Sequence, residues 1–168
     1  METNLKEWKK ISEGKYSFFK HENEIGQLTI HTKFFQKSAE FEIDGYYYQL
    51  KHTGFWSNNI EISDSSGKVV LSTYKEKWYS NAITVAFENR KLTLNIRNNP
   101  LAEYAILDGE NEILSYGLKV HDKQVVTKIQ TSLHHKSYLL DFYLWYLFAP
   151  IARENMGDDL LFLLLSVA

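Results

Sequence analysis

The sequence predicts a mainly β fold with a C-terminal helix. We expect a closed antiparallel β-barrel of about 11–12 strands around a central hydrophobic α-helix. Three observations lead to this prediction. Short alternating segments separated by turn residues fill the region from 16 to 132, and an apolar stretch follows at 138–149. The chain has 168 residues and is 44% hydrophobic, enough for one domain with one sizeable core.

Eleven segments have the composition and spacing of short β-strands. In one of them Leu28 and Ile30 alternate with polar neighbours, which predicts a buried face and an exposed His31. Strands at intervals of about 8–12 residues favour a barrel or a sandwich. The predicted strands span 16–20, 26–33, 38–43, 46–53, 58–64, 68–74, 81–87, 91–97, 101–107, 112–119 and 123–131.

Polar segments between the strands predict the turns. Asp-Gly at 44–45 is a strong hairpin signal, because both residues tolerate the positive φ of a type I′ turn. The segments at 64–67 and 108–109 are predicted turns for similar reasons.

A weak internal repeat relates two parts of the predicted barrel at an offset of 44 residues. The sequence allows two explanations: a duplicated strand pair, or the self-similarity of any meander of short strands. The matched positions are Leu50 and Leu94, Ile62 and Ile106, and Asp64 and Asp108.

The apolar stretch at 138–149 predicts a helix that ends before Pro150. It is apolar on every side except at Asp141, so the whole helix must be buried. Twelve residues rise only about 18 Å against a bilayer core of about 30 Å, so we place the helix inside the barrel. A buried Asp141 requires hydrogen bonds, and we expect His134, His135 or a strand end to supply them.

The predicted organisation is a polar N-terminal segment at 1–15, the barrel at 16–150, and an apolar tail at 151–168. The N-terminal segment has no apolar run of the kind a secretory signal needs. We therefore expect a cytoplasmic protein.

Three features of the predicted β-meander stand out: the hairpin Ile-Ser-Asp-Ser-Ser-Gly-Lys-Val-Val at 62–70, its echo Ile-Leu-Asp-Gly at 106–109, and the apolar helix directly after the last strand. In these features the chain resembles the tubby C-terminal-like superfamily, which includes tubby proteins, phospholipid scramblases and plant LURP-one-related proteins. The resemblance covers residues 16–150. It implies a non-enzymatic binding or scaffold domain, peripheral to a membrane.

Tubby proteins bind phosphoinositide headgroups through basic residues on the barrel, so the resemblance implies an anionic lipid as partner. The comparable basic stretch has a local charge of +3 when Asp122 is counted and histidines are neutral. We take as candidate lipid ligands Lys119, Lys123, Lys128 and Lys136.

Scramblase activity is not implied, because the family's cysteine-rich palmitoylation segment and proline-rich region have no counterpart here. The chain has no cysteine and only two prolines. The acidic residues Glu154, Asp158 and Asp159 do not have the spacing of a twelve-residue calcium loop.

No catalytic constellation is recognisable, so we predict no enzyme activity, no cofactor and no metal site. The adjacent His134 and His135 would point to opposite faces of a strand and cannot share an ion. A pI near 6.3 argues against a nucleic-acid partner. The aromatic clusters at 18–19, 34–35 and 46–48 could stack on bases or sugars, but are more typical of barrel walls.

Two alternative functions stay open. The tail from Leu160 to Ala168 is strongly apolar and would pack on a protein partner or a second copy, as in an oligomeric structural protein. The second alternative is an open-lumen barrel that carries a small apolar ligand, with the helix outside.

Overall fold

The structure, a computed structural model, describes residues 6–98, 100–132, 135–156 and 162–166. Within these ranges the chain forms thirteen strands and one helix. They are β1 (Lys6–Ser12), β2 (Lys15–Lys20), β3 (Asn23–Lys33), β4 (Gln36–Ile43), β5 (Tyr46–Thr53), β6 (Asn59–Asp64), β7 (Val69–Tyr74), β8 (Ile83–Phe87), β9 (Arg90–Arg97), β10 (Glu103–Asp108), β11 (Asn111–His121), β12 (Gln124–Thr131), α1 (Tyr138–Met156) and β13 (Phe162–Ser166).

Each strand pairs with the next one along the chain, and the pairs from β1 to β12 are all antiparallel. These twelve strands form a nearly closed barrel. The backbone of β13 pairs in parallel with β12 and lies beside β1, between the two edges of the meander. The predicted fold class, mainly β with a C-terminal helix, is confirmed.

The repeat at an offset of 44 residues is visible in the strands themselves. The bounds of β5 and β6, moved by 44 residues, are those of β9 and β10. The cross-strand pair Leu50–Ile62 corresponds to Leu94–Ile106. A register shift follows Ile62 in one copy and Ile106 in the other. The self-similarity therefore includes strand length, register and bulge position, which favours a duplicated strand pair over a chance resemblance.

The helix α1 passes through the barrel and is buried almost all round. Phe142, Leu144 and Trp145 are fully buried and belong to the same core as the inward residues of the strands. The interior that an open-lumen carrier would need is thus filled by α1.

The helix does not end at residue 149 as predicted, but continues past Pro150 to Met156. Proline removes one intrahelical hydrogen bond and normally costs about 3 kcal/mol in a helix interior. Here the extra turns bury Ala152 and place Arg153 in an ion pair with Glu13 of the β1–β2 turn. These contacts favour the longer helix and recover part of this cost.

The strand β1 lies within the segment that the sequence analysis treated as polar and N-terminal. Its Trp8 is buried, stacks on Trp145 at 5.4 Å between ring centroids, and donates from Nε1 to the Tyr116 hydroxyl at 3.0 Å. The strand was missed because lysines, Lys6 and Lys10, occupy the positions on either side of Trp8 on the inward face. Period-two patterns are recognised only when the inward positions are apolar.

Candidate functional site

In an up-and-down meander every second connection lies at the same end of the barrel. The two ends therefore carry different sets of turns and loops. At the capped end, α1 begins near the turns at 44–45, 88–89 and 109–110. At the aromatic end, α1 ends near the β1–β2 turn, and the connections at 34–35, 54–58 and 75–82 lie side by side.

Three neighbouring connections at the aromatic end carry exposed aromatic side chains. Each of these side chains is at least 67% exposed. Single exposed apolar residues are normal, but a cluster on adjacent loops indicates a binding surface. We call this set the aromatic rim; it consists of Phe34, Phe35, Phe55, Trp56, Trp78 and Tyr79.

The β3–β4 hairpin displays its two phenylalanines at a conformational cost. Phe34 and Phe35 have φ values of 48° and 67°, the left-handed conformation that a two-residue type I′ turn requires. Asp44-Gly45 satisfies the same requirement with residues that tolerate positive φ. Bulky side chains are strained there, and these two gain no burial in return. Three other two-residue turns of the barrel have similar positive φ values, so the feature particular to this turn is its pair of exposed phenylalanines.

The β5–β6 loop is held against the helix by His52. The His52 ring contacts the Ser57 carbonyl through Nδ1 at 3.0 Å and the Tyr146 hydroxyl through Nε2 at 2.8 Å. The tautomer that donates from Nδ1 accepts a hydrogen bond from the Tyr146 hydroxyl at Nε2. Burial raises the pKa of Tyr146 to about 12, so this hydroxyl remains a donor at neutral pH. The loop backbone is fixed while Phe55 and Trp56 stay exposed.

The β7–β8 connection presents its rings together with a lysine. Trp78 and Tyr79 meet edge to face at 5.7 Å, and Lys77 Nζ lies 5.9 Å from the Tyr79 ring centroid. The backbone is closed by a hydrogen bond from Ser80 N to the Lys77 carbonyl at 3.0 Å. Amphipathic rings beside an ammonium group suit a boundary between apolar and aqueous phases.

The loops of the aromatic rim are basic although the chain as a whole is acidic. Over 33–37, 54–58 and 74–82, four lysines face one glutamate, which leaves a charge of +3 against −2 for the whole chain. The lysines are Lys33, Lys37, Lys75 and Lys77. A local positive field in a negative protein favours an anionic partner at this end.

The four lysines that are predicted lipid ligands do not lie close enough together to form one site. Lys123 lies in the β11–β12 turn at the aromatic end, and Lys136 lies just before α1 at the capped end. The eight residues of β12 separate them by roughly 26 Å. Lys119 and Lys128 lie between, opposite Val126 and Gly117 respectively.

The buried Asp141 is hydrogen-bonded, as predicted. Its partners include His135, which was predicted, and also Lys6 and Tyr116, which are distant in the sequence. Lys6 Nζ donates to both carboxylate oxygens at 3.0 and 2.9 Å, His135 Nε2 lies 3.2 Å away, and the Tyr116 hydroxyl donates at 3.1 Å. Burial by itself raises the pKa of Asp141. The Lys6 ammonium and His135 outweigh that effect, and the pKa lies below its ordinary value. His134 lies outside the described residues.

The remaining predictions concern His31, the acidic residues at the end of α1, and the C-terminal tail. His31 is exposed, as predicted, and lies 3.4 Å from a Glu40 carboxylate oxygen. Glu154 is exposed at the end of α1, whereas Asp158 and Asp159 lie outside the described residues. Of the tail from Leu160 to Ala168, the structure describes only the backbone of β13.

The aromatic rim was missed because the sequence analysis assigned aromatic clusters to the barrel wall. That assignment is correct for Phe18, which is fully buried, and wrong for Phe34 and Phe35. The available signal was position: Phe34-Phe35, Phe55-Trp56 and Trp78-Tyr79 all fall between predicted strands or at their ends.

Comparisons with protein-family models, curated proteins and solved structures give no match. No helix in the described part of the chain is long and apolar enough to cross a membrane. In the same part, no three histidine or acidic side chains are grouped so that they could hold a metal ion.

Proposed function

We propose that this chain is a non-enzymatic, cytoplasmic binding domain with a tubby-like fold that docks peripherally on anionic phospholipid bilayers through the aromatic rim. One observation carries the proposal: six exposed aromatic side chains lie on three adjacent loops at one end of the barrel. The nearly closed twelve-strand barrel with its C-terminal helix is compatible with the tubby-like fold that the scramblase and LURP-one-related proteins share.

A bilayer surface matches the rim in both polarity and charge. Tryptophan and tyrosine favour the level of the lipid headgroups, and phenylalanine enters the acyl boundary below them. The lysines at 33, 37, 75 and 77 are within three residues of a rim aromatic in the sequence. At the surface of an anionic leaflet, each contributes about 1 kcal/mol of attraction.

The shape of the rim also favours a bilayer over a folded partner. The rings stand on hairpin and loop tips, and none of them is more than one-third buried. Anchors in protein–protein interfaces fill pockets on the partner, and a fluid surface accepts separate protruding rings without such matching.

The experiment is flotation of the full chain with neutral phosphatidylcholine vesicles and with vesicles that also contain phosphatidylserine or phosphoinositides, at low and high salt. We expect salt-sensitive binding to the anionic vesicles. The triple variant Phe35→Ser/Trp56→Ser/Trp78→Ser should lose more than about 100-fold in affinity, at about 1–2 kcal/mol for each partly buried ring. The matched control is Tyr46→Ser/Tyr47→Ser, which removes two exposed aromatics away from the rim.

A second pair of variants separates the two candidate lysine sets. Replacing Lys33, Lys37, Lys75 and Lys77 by glutamine should weaken binding at low salt far more than replacing Lys119, Lys123, Lys128 and Lys136. The reverse result would assign lipid binding to the second set and refute the rim. Absence of flotation would exclude the bilayer and indicate a protein partner for the rim. Self-association that the triple variant abolishes would identify a second copy of the chain as that partner.

A further inference from the structure

We infer that the capped end holds a second binding site, which takes a small soluble anion bearing a phosphate group. The site is a pocket of about 270 Å³ between β1, β2, the end of β12 and the start of α1. Its lining includes Lys6, Lys20, Ser132, His135, Lys136 and Tyr138. This inference goes beyond the proposed membrane docking and does not depend on it.

The pocket concentrates positive charge without a carboxylate on its wall. Three lysines line it, and no acidic side chain is among its described lining residues. Of these lysines, Lys6 is bound to both oxygens of the buried Asp141 carboxylate. Three ammonium groups against one buried carboxylate leave a charge of +2, which favours an anionic ligand.

Two of the lysines are free of the Asp141 network and are placed to meet a ligand. Lys20 Nζ lies 5.6 Å from the centroid of the Tyr138 ring, which forms part of the same wall. Lys136 is exposed two residues before α1 begins. The first turn of α1 adds the positive end of a helix dipole to the same wall.

A buried hydroxyl without a partner provides an independent indication of a ligand. Among the described side chains, Ser132 Oγ is buried and makes no hydrogen bond. The Ser132 backbone is fully used, since its N–H donates to the Ile113 carbonyl and its carbonyl accepts from His135 N. A buried hydroxyl that lacks a partner is unfavourable. A rotation of the Ser132 side chain toward the pocket would let this hydroxyl donate a hydrogen bond to a phosphate oxygen.

The position and size of the pocket favour a soluble ligand over a lipid headgroup. Typical small-molecule pockets have about 300–1,000 Å³, so a volume of about 270 Å³ suits phosphate itself or a small phosphomonoester. The pocket lies at the opposite end of the barrel from the aromatic rim. A protein docked through the rim would therefore present this pocket to the aqueous phase.

The test is calorimetric titration of the full chain with inorganic phosphate and with glycerol phosphate at low ionic strength. We expect saturable binding with one site per chain. Lys20→Gln/Lys136→Gln should weaken the affinity by about tenfold or more, because charge-assisted hydrogen bonds are lost. Ser132→Ala should weaken it by a smaller factor. The matched control Lys51→Gln/Lys91→Gln, which removes two exposed lysines outside both sites, should leave it unchanged.

Three results would overturn the inference. Absence of saturable binding would remove the site, and equal affinity in Lys20→Gln/Lys136→Gln would place it elsewhere. Flotation on phosphoinositide vesicles that needs Lys20 and Lys136, with no binding of glycerol phosphate, would identify a lipid headgroup as the ligand.

Circular dichroism and urea unfolding of each variant check that the fold is retained, so that a loss of affinity reports on the pocket. Vesicle binding that is retained in the triple rim variant would refute the proposed function and leave this site untouched.

Discussion

The two ends of the barrel use their side chains in opposite ways. At the capped end, the Asp141 carboxylate and the Lys6 ammonium are buried and bond to each other. At the aromatic end, Phe34 and Phe35 adopt strained backbone angles and remain exposed. The first arrangement contributes to holding the fold together, and the second adds nothing to it. Substitutions in the Lys6–Asp141 pair should therefore lower stability, and substitutions in the aromatic rim should weaken vesicle binding.

The largest effect is expected from breaking the buried ion pair. Lys6→Met leaves the Asp141 carboxylate buried without its main counter-charge, which should cost about 3–5 kcal/mol in the free energy of unfolding. The double variant Lys6→Met/Asp141→Leu should recover much of this loss, because no buried charge remains. Urea unfolding at neutral pH measures both values. A loss below about 1 kcal/mol for Lys6→Met would show that the pair does not hold the capped end.

A smaller effect should appear when the protein is acidified. The pKa of Asp141 is lower in the folded protein than its ordinary value of 3.8, so ionised Asp141 favours the folded state. This contribution is fully present above the unfolded pKa and is lost as the pH falls through the lower, folded pKa. Urea unfolding between about pH 5 and about pH 2 should show a steeper loss of stability in the wild type than in Lys6→Met/Asp141→Leu. Equal slopes would contradict the assigned shift.

The smallest effect, of opposite sign, is expected at the aromatic end. Phe34→Asn/Phe35→Gly supplies the residues that a type I′ turn favours, and should stabilise the fold by about 0.5–1 kcal/mol. The same variant should bind anionic vesicles more weakly than the wild type. Thermal unfolding and flotation check the two outcomes. A destabilised variant would mean that Phe34 and Phe35 serve the fold, and the comparison between the two ends would fail.

The sequence predicts β2 to β12 from alternating patterns and turn residues, and α1 from its continuous apolar stretch, because both signals are local. It missed β1 and placed the end of α1 too early. The turn at Asp44-Gly45 could be predicted because these residues tolerate positive φ. The hydrogen bonds of the buried Asp141 could be expected because an unpaired buried charge is costly. The partner Lys6 could not be predicted, since it comes from the far end of the chain. The aromatic rim was equally hidden, because rings that are distant in sequence meet only when alternate loops gather at one end of a barrel.

The most direct test of the central claim uses the four tryptophans of the chain. Trp8 and Trp145 are buried in the core, whereas Trp56 and Trp78 belong to the rim. Anionic vesicles made with brominated phospholipids quench tryptophans that enter the acyl boundary. We predict quenching of the wild-type emission on binding, and almost none in Trp56→Phe/Trp78→Phe, which should still float with the vesicles. Bound wild-type protein whose emission is not quenched would contradict docking through the aromatic rim.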